Sequence, residues 1–362
     1  MRWILLVFAI ILGAASGPVL AGEKSLEKRC EEAEALEKAG KAAEALDVWK
    51  AIVLAIPPGR AGAFTGALNR ANALLRERKA FDELVSLFRE AHERRPDDGA
   101  SAAFLGQALE EIGALEEAKA VYRELGGAGG AYAWWAWQRL GGIRLYQEGK
   151  RDEATARIYL RSLKLNPQNE KAAELVDYIA GVKQVWERDF ETARSLWMDL
   201  ASVEGIAPAW RARACLYVGM QDYQQGRFQE AEAQYRKAAS LVPGDPEPLS
   251  NLGLVQISRG REKEALETFD RVLEMDPDYA DALEVLGVFH LRRNRPSKAR
   301  AYFEKGLASA VKKVEKARSA VEAAAAAGGK RGDPALEKAR QQLDIERYRT
   351  FRFEHYLRRL AQ

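Results

Sequence analysis

Side chains that commonly carry catalysis or bind metals are few in this chain and lie far apart. The three histidines are His92, His290 and His355, and the sequence contains neither an H-x-x-x-H nor a C-x-x-C motif. A zinc site needs three or four such ligands that converge on one point. The sequence therefore predicts no metal site and no cofactor.

A glycine-rich stretch, Gly126–Gly130 (GGAGG), is the segment most similar to a phosphate-binding loop. Such a loop follows a β-strand and continues into Lys and Ser or Thr, because these side chains bind the phosphates and their Mg²⁺. Neither feature is present, so we expect a flexible connection between helices. The glutamates sit beside lysines and arginines, as in the EKE segment at 262–264, which is typical of solvated helix faces. These observations favour a protein without enzymatic activity.

The strongest pattern is a recurrence with a period of 34 residues. The pair Leu252-Gly253 precedes Ala265, Phe269 and Pro277 at distances that are repeated on both sides. The corresponding residues are Val218, Gly219, Ala231, Tyr235 and Pro243 in the earlier copy, and Leu286, Gly287, Ala299 and Phe303 in the later copy. A period of this length is typical of solenoids, in which stacked units bury a continuous core.

A small residue and a bulky residue four positions later lie on one face of a helix, and such pairs can be followed through the chain. Eight occur between residues 25 and 313, and they are Ala45/Trp49, Leu84/Phe88, Ala118/Tyr122, Ala154/Ile158, Ala193/Trp197, Ala231/Tyr235, Ala265/Phe269 and Ala299/Phe303. A proline twelve positions after the small residue ends several of these units, but Pro167 follows Ala154 by thirteen. Since proline and glycine end helices, each unit is expected to be a pair of antiparallel helices.

The motif L-G in the first helix, A-x-x-x-F in the second and P at its end resembles the tetratricopeptide repeat, most closely in the units around Ala231, Ala265 and Ala299. The resemblance implies an all-α fold, a right-handed superhelical solenoid of about eight antiparallel helix pairs over residues 25–313. It also implies that the first helices line a concave groove, in which a peptide of a partner protein binds.

Alignment to the repeat places an apolar and aromatic set of residues in this groove, from the fourth to the seventh unit. The set is Arg139, Ile143, Tyr146, Tyr178, Val185, Met220, Tyr223, Leu254 and Ile257. The first and eighth units contribute charged residues, namely Glu27, Glu34, Glu37, Glu284 and Arg292. Exposed aromatic patches mark interaction sites, so we interpret the set as a partner-binding surface. If the assumed register is wrong by one residue in the units that match the motif less closely, several of these side chains belong to the core instead.

The segment Tyr132–Trp137 concentrates four large aromatic residues directly after the glycine run. In a helix, Trp134 and Trp137 share one side, whereas Tyr132 and Trp135 share another. One side has to pack against the third unit. The other side either joins the core or reaches the groove.

The last part of the chain departs from the repeat. A helix is expected to run to Ala327, to break at Gly328, and to restart with Asp333 as N-cap and Pro334 at its first position. Residues 311–362 contain 13 Lys and Arg against 7 Asp and Glu. We expect residues 314–362 to cap the last repeat, because its stacking face would otherwise be exposed. The alternative is a basic, aromatic tail that binds an acidic partner or makes peripheral contact with an anionic membrane.

The first residues indicate the compartment. Arg2 precedes an apolar run that ends at Leu12, and small residues lead to Ala21. This pattern is typical of a secretory signal peptide spanning residues 1–21, which predicts a periplasmic or otherwise exported protein. The alternative is an uncleaved anchor, because residues 3–22 carry no charge and about twenty apolar residues span a bilayer. Cys30 and Cys215 fall in different units, so we expect buried thiols rather than a disulfide.

Together these features predict a non-enzymatic exported scaffold that binds a peptide segment of another envelope protein within a multiprotein assembly. Pilus, gliding motility, outer-membrane and polysaccharide export machineries contain such subunits. The alternative is a regulatory envelope protein that binds cell-wall glycan or peptide together with a cell-wall enzyme. Nucleic-acid binding is disfavoured by the expected export and by a formal net charge of only +3 over 362 residues.

Overall fold

The computed structural model describes residues 21–328 and 332–362, and this part of the chain folds into seventeen α-helices without a strand. The helices divide between two compact bodies, of which the first ends at Ile206 and the second comprises Ala207–Gln362. We call them the N-terminal body and the C-terminal body. The predicted all-α architecture of helix pairs is confirmed.

Ten helices form the described part of the N-terminal body, and seven form that of the C-terminal body. The first ten are α1 (Ala21–Lys38), α2 (Ala42–Ala55), α3 (Thr65–Glu77), α4 (Phe81–Arg94), α5 (Gly99–Glu111), α6 (Leu115–Ala128), α7 (Ala133–Gly142), α8 (Glu153–Leu165), α9 (Glu170–Val185) and α10 (Phe190–Ser202). The other seven are α11 (Pro208–Gln224), α12 (Phe228–Leu241), α13 (Pro246–Ser258), α14 (Glu262–Met275), α15 (Ala280–Arg292), α16 (Pro296–Ala326) and α17 (Pro334–Ala361). A 3₁₀ turn, Ala61–Phe64, precedes α3, and a π-helical segment, Ile143–Gln147, continues α7.

Each first helix is joined to its second helix by a short turn that contains one residue with positive φ. These residues are Gly40, Lys79, Gly113, Gly149, Arg188, Gly226, Gly260 and Asn294. Glycine tolerates this conformation because it has no Cβ. The turn reverses the chain direction, so the two helices of each pair pack antiparallel. The eight turns therefore correspond to the eight helix pairs predicted from the sequence.

Close packing within a pair depends on a glycine of the first helix that lies under an aromatic ring of the second. A Cβ atom added to Gly253 would lie 2.8 Å from two ring atoms of Phe269. The same relationship holds for Gly106 with Tyr122, Gly141 with Tyr159, Gly219 with Tyr235, and Gly287 with Phe303. All five rings are at most 2% exposed, which explains why the glycine and the aromatic residue recur together.

The structure corrects the register of the fourth pair by one residue. Ala154 is exposed and Ile158 is only half-buried, whereas Thr155 and Tyr159 are 0% and 1% exposed. Thr155 and Tyr159 are therefore the small and bulky residues of this pair. Pro167 then follows the small residue by twelve positions, as the corresponding prolines do in the regular pairs.

The shift accompanies a longer connection in the fourth pair, because Tyr159 follows Gly141 by 18 positions, whereas Phe269 follows Gly253 by 16. In the regular seventh pair, the amide of Arg261 donates to the carbonyl of Gln256, five residues earlier. In the fourth pair, the amide of Lys150 reaches back six residues to the carbonyl of Arg144, the second residue of the π-helical segment. A π-helical turn accommodates one additional residue, so it moves every later residue by one position.

The C-terminal segment begins as the sequence predicts. The Asp333 carboxylate accepts hydrogen bonds from the amides of Ala335 and Leu336, at 2.9 and 3.1 Å, and Pro334 occupies the first helical position. Helix α16 crosses residue 313 without interruption, so no break accompanies the boundary expected there. Helix α17 packs along α16, where Phe353 lies over Gly306.

Several expectations concern the N-terminal segment and the cysteines. The expected signal peptide, residues 1–21, lies outside the described residues except for Ala21. Among the helices that are described, none is both long and apolar enough to span a membrane. Cys215 is fully buried, as expected, whereas Cys30 is half-buried, and neither forms a disulfide.

Candidate partner-binding surfaces

The C-terminal body contains a cavity of about 360 Å³ between α13, α15 and α17. Two predicted groove residues, Leu254 and Ile257, form part of its wall. Both are half-buried, whereas Leu252 and Val255 on the other side of the same helix are 3% and 0% exposed. Helix α13 therefore turns one apolar side to the core and a second apolar side to the cavity.

Apolar residues of α15 and an aromatic residue of α17 complete the cavity. They are Val285, Val288, Phe289 and Tyr356. The Tyr356 ring stacks on Phe303, with ring centroids 4.6 Å apart. The last helix thus contributes directly to this surface, although the repeat pattern placed only first helices there.

Charged residues line one side of this cavity. The Arg352 guanidinium of α17 donates to the Glu284 carboxylate of α15, and Arg349 lies 3.5 Å from Asp281. Burial raises the pKa of Glu284, and the charge of Arg352 partly opposes this effect. These contacts hold α17 against α15 and thereby fix the width of the cavity.

Arg292 is a basic residue that remains available to a ligand. It lines the cavity, its side chain is exposed, and it forms no ion pair with any residue of the described chain. A guanidinium group binds a carboxylate through two parallel hydrogen bonds. The cavity therefore combines an apolar wall with one cation suited to an acidic group.

The remaining two predicted residues of this body, Met220 and Tyr223, lie on α11. The Tyr223 hydroxyl shares a 2.9 Å hydrogen bond with the hydroxyl of Ser258, directly after Ile257. Met220 lines a neighbouring depression of about 350 Å³ with Leu216 and Tyr217. The structure thus places Tyr223 beside the end of α13 and brings four predicted residues onto adjacent first helices.

In the N-terminal body, Arg139 and Tyr146 line a cavity of about 280 Å³. The Arg139 guanidinium donates to the Glu110 carboxylate, with a distance of 3.0 Å from Nε to Oε1. Tyr146 is 67% exposed. Ile143 also borders this cavity, but it is 1% exposed and packs mainly in the hydrophobic core.

Tyr178 and Val185, both on α9, are exposed as predicted, at 44% and 67%. The Arg151 guanidinium lies 6.0 Å from the centre of the Tyr178 ring, within the range of a cation–π contact. Trp186, which follows Val185, is 82% exposed and is not among the residues predicted from the sequence. Its position two residues before the turn at Arg188 is the signal that could have identified it.

The aromatic segment Tyr132–Trp137 has a packing role. The Trp137 ring lies against Gly126, and its indole N–H donates to the carbonyl of that glycine at 3.0 Å. Trp135 contacts Tyr122 edge to face, with ring centroids 5.5 Å apart. The glycine run therefore makes room for Trp137, which joins α6 to α7.

The described residues contain no group of three or more His, Cys, Asp or Glu that could hold a metal ion. His290 is 5% exposed and stacks on Tyr302, with ring centroids 5.5 Å apart. Burial, together with the nearby charges of Lys298 and Arg295, lowers the pKa of His290. This histidine is thus held in the core of the eighth pair.

A tetratricopeptide repeat family model matches residues 219–279 and 250–312, where the glycine and aromatic contacts are most regular. The chain contains tetratricopeptide repeats. Arrays of tetratricopeptide repeats present extended binding surfaces, so this chain is of a kind that serves as a scaffold for proteins or peptides. No curated protein sequence matches the chain.

Solved structures show partial similarity to the chain. One is YrrB, described as a tetratricopeptide repeat protein with an unusual peptide-binding site, at 20% identity over 55% of this chain and 96% of YrrB, with a TM-score of 0.33. Another is PilF of Pseudomonas aeruginosa, at 18% identity over 63% of this chain and 96% of PilF, with a TM-score of 0.37. A third is the TPR2AB domain of yeast Sti1 in complex with pHSP90, at 17% identity over 78% of this chain and 98% of that chain, with a TM-score of 0.31.

Proposed function

We propose that this protein is a non-enzymatic exported scaffold whose repeats bind a peptide segment of another envelope protein within a cell-envelope assembly. The observation that carries the proposal is the cavity between α13, α15 and α17, where an apolar wall meets Arg292, a side chain that forms no ion pair with the described residues. An extended or helical peptide that presents an apolar anchor beside an acidic group would match both features.

The exposed aromatic residues of the N-terminal body support a second contact region for the same partner. Tyr146, Tyr178 and Trp186 are large, rigid side chains that bury much area at little entropic cost. Two contact regions on one chain would raise the affinity for a partner that reaches both. A sugar could stack on the same rings, which keeps the regulatory protein that binds cell-wall glycan as the second candidate.

Export rests on the apolar segment that precedes Ala21. Intact mass measurement of the protein isolated from its own cells tests this part of the proposal. We expect a chain that begins at Gly22. A mass that includes residues 1–21 would indicate an uncleaved anchor instead.

Photo-crosslinking in the cell tests the binding site. A photoreactive residue replaces Ile257 in the cavity, and a matched variant carries it at Glu267, an exposed position on the second helix of the same pair. We expect one dominant protein adduct from position 257, absent from position 267. The adduct should decrease when Arg292 is changed to Glu in the same chain.

Three outcomes would count against the proposal. They are no adduct at position 257, equal adducts at both positions, and adducts that contain only glycan. The last outcome would favour the regulatory alternative. Changing Tyr146, Tyr178 and Tyr223 together to Ala provides a separate test, and unchanged partner binding by the folded variant would remove these residues from the surface.

A further inference from the structure

Helix α17 has one face that is fully occupied by contacts within the C-terminal body. Phe353 and Leu343 are 1% and 8% exposed, and Glu346 is 3% exposed. Phe353 lies over Gly306 of α16, and Tyr356 stacks on Phe303. These contacts fix the orientation of the helix and determine which residues point away from the body.

The opposite face carries three large apolar residues that contact solvent. Ile345, Tyr348 and Phe351 are 47%, 60% and 57% exposed. They follow one another at intervals of three residues, so they lie along one side of the helix. Solvated helix faces rarely align three such side chains, and an exposed apolar stripe marks a contact surface.

Basic side chains border the stripe. Arg340, Arg347 and Arg358 lie seven and eleven residues apart, which places them on one flank of the same exposed face. Their side chains are 49%, 56% and 64% exposed. Within the described part of the chain, each pairs with an exposed carboxylate one turn away, namely Glu337, Asp344 and Glu354. Such exposed pairs are weak and screened, so the arginines can exchange these partners for other anions.

We propose that this face of α17 docks on an anionic lipid surface. Apolar side chains that enter the headgroup region, flanked by arginines that reach lipid phosphates, are the features of a helix that lies in the plane of a membrane interface. The basic composition of residues 311–362, with 13 Lys and Arg against 7 Asp and Glu, provides the matching charge. The proposal is independent of peptide binding, because it uses no residue of the cavity.

The size of the stripe favours lipid over a protein partner. The three apolar residues extend over six positions, which is about 9 Å of helix. A stable protein interface buries roughly 800 Å² on each side, far more than three side chains offer. A lipid surface needs no complementary shape, and each arginine that approaches it adds attraction.

Co-sedimentation with lipid vesicles tests the proposal, and the sample is the full protein in the form isolated from its own cells. We expect binding to vesicles that contain phosphatidylglycerol, weak binding to pure phosphatidylcholine vesicles, and release by added salt. Changing Ile345→Ser, Tyr348→Ser and Phe351→Ser together should lower the partition coefficient at least about tenfold. Changing Arg340→Gln, Arg347→Gln and Arg358→Gln should lower it and reduce its salt dependence.

A matched control carries Ile112→Ser, Leu165→Ser and Phe190→Ser, three exposed apolar positions of the N-terminal body that belong to neither candidate surface. Its partition coefficient should equal that of the unchanged chain, and circular dichroism should show full helicity in every variant. Equal binding to neutral vesicles, no binding to anionic vesicles, or an equal loss in the control would overturn the proposal. Light scattering tests the remaining alternative. If the unchanged chain is a dimer and the variant with Ile345→Ser, Tyr348→Ser and Phe351→Ser is a monomer, this face binds a second copy of the chain and the lipid proposal is overturned.

Discussion

The ring of Tyr159 lies directly over Gly141, and a Cβ atom at Gly141 would lie 2.7 Å from the Tyr159 Cζ atom. The adjacent Gly142 has no other heavy atom within 4 Å of the corresponding position. These two neighbouring glycines therefore differ in the space beside them, since a methyl group fits at Gly142 but collides with the Tyr159 ring at Gly141. This contrast provides an internal test of the contact that recurs in five of the helix pairs.

Changing Gly141→Ala should lower the free energy of unfolding of the N-terminal body by about 1–3 kcal/mol, because the methyl group forces Tyr159 out of its packed position. Changing Gly142→Ala should leave it unchanged or raise it by up to about 1 kcal/mol through helix propensity. Urea unfolding followed by circular dichroism measures both. Equal effects of the two substitutions would contradict the packing role of Gly141.

The same contact shows what could and could not be predicted from the sequence. The eight helix pairs, their turns and the start of α17 follow from residue spacing alone, because glycine, proline and aromatic residues occupy fixed positions. The register of the fourth pair does not follow from the Ala154 and Ile158 spacing, since it depends on the π-helical turn before Gly149. The distance from Gly141 to Gly149 is eight residues, whereas that from Gly253 to Gly260 is seven, and this difference was a usable signal.

The candidate surface was only partly predictable. Leu254 and Ile257 lie in regular pairs and line a cavity. Ile143 lies in the shifted pair and is buried. The contribution of Arg352 and Tyr356 depends on how α17 packs, which no repeat spacing specifies.

Arg352 should contribute more to stability than Arg340 of the same helix, because its partner Glu284 is only 7% exposed. Changing Arg352→Gln leaves a largely buried carboxylate without its guanidinium, and we expect a loss of about 1–3 kcal/mol in the free energy of unfolding of the C-terminal body. Arg340→Gln is the control, since its partner Glu337 is exposed, and it should cost less than about 0.5 kcal/mol. Denaturant titration of the two variants compares them directly. A loss no greater for Arg352→Gln than for the control would show that the Glu284 contact is dispensable.

Glu148 should make the N-terminal body sensitive to acid. Hydrogen bonds from the Lys119 and Lys150 ammonium groups lower the pKa of Glu148 from 4.5 to about 2. The unfolded chain therefore binds a proton before the folded chain does, so the stabilisation is present above pH 4.5 and is lost as the pH falls towards 2. Glu148→Gln should lower the free energy of unfolding by about 1 kcal/mol at neutral pH, with a smaller difference in acid. A difference that is independent of pH would contradict this account.

His290 should confer a second pH dependence, at higher pH and in the C-terminal body. Its pKa is lowered from 6.5 by burial first, and then by Lys298 and Arg295. Below pH 6.5 the unfolded chain takes up a proton that the folded chain resists, so the free energy of unfolding should decrease as the pH falls.

Changing His290→Phe keeps a ring against Tyr302 and removes the titrating group. Thermal unfolding measured from about pH 7 to pH 5 should then show a smaller decrease in Tm than in the unchanged chain. His355→Phe, at an exposed position, is the control and should retain the original pH dependence. An unchanged pH dependence in His290→Phe would exclude this histidine as the cause.

The equal spacing of Gly219, Gly253 and Gly287 makes the pairs of the C-terminal body exchangeable modules. A segment of 34 residues can be duplicated or removed there, and every glycine would still meet an aromatic ring. The fourth pair does not share this property, because its glycine and its aromatic residue lie two positions further apart than those of the regular pairs. Recombination that duplicates or removes one repeat is thus compatible with the packing of the regular pairs. The fourth pair cannot be exchanged with them in this way, because its spacing differs.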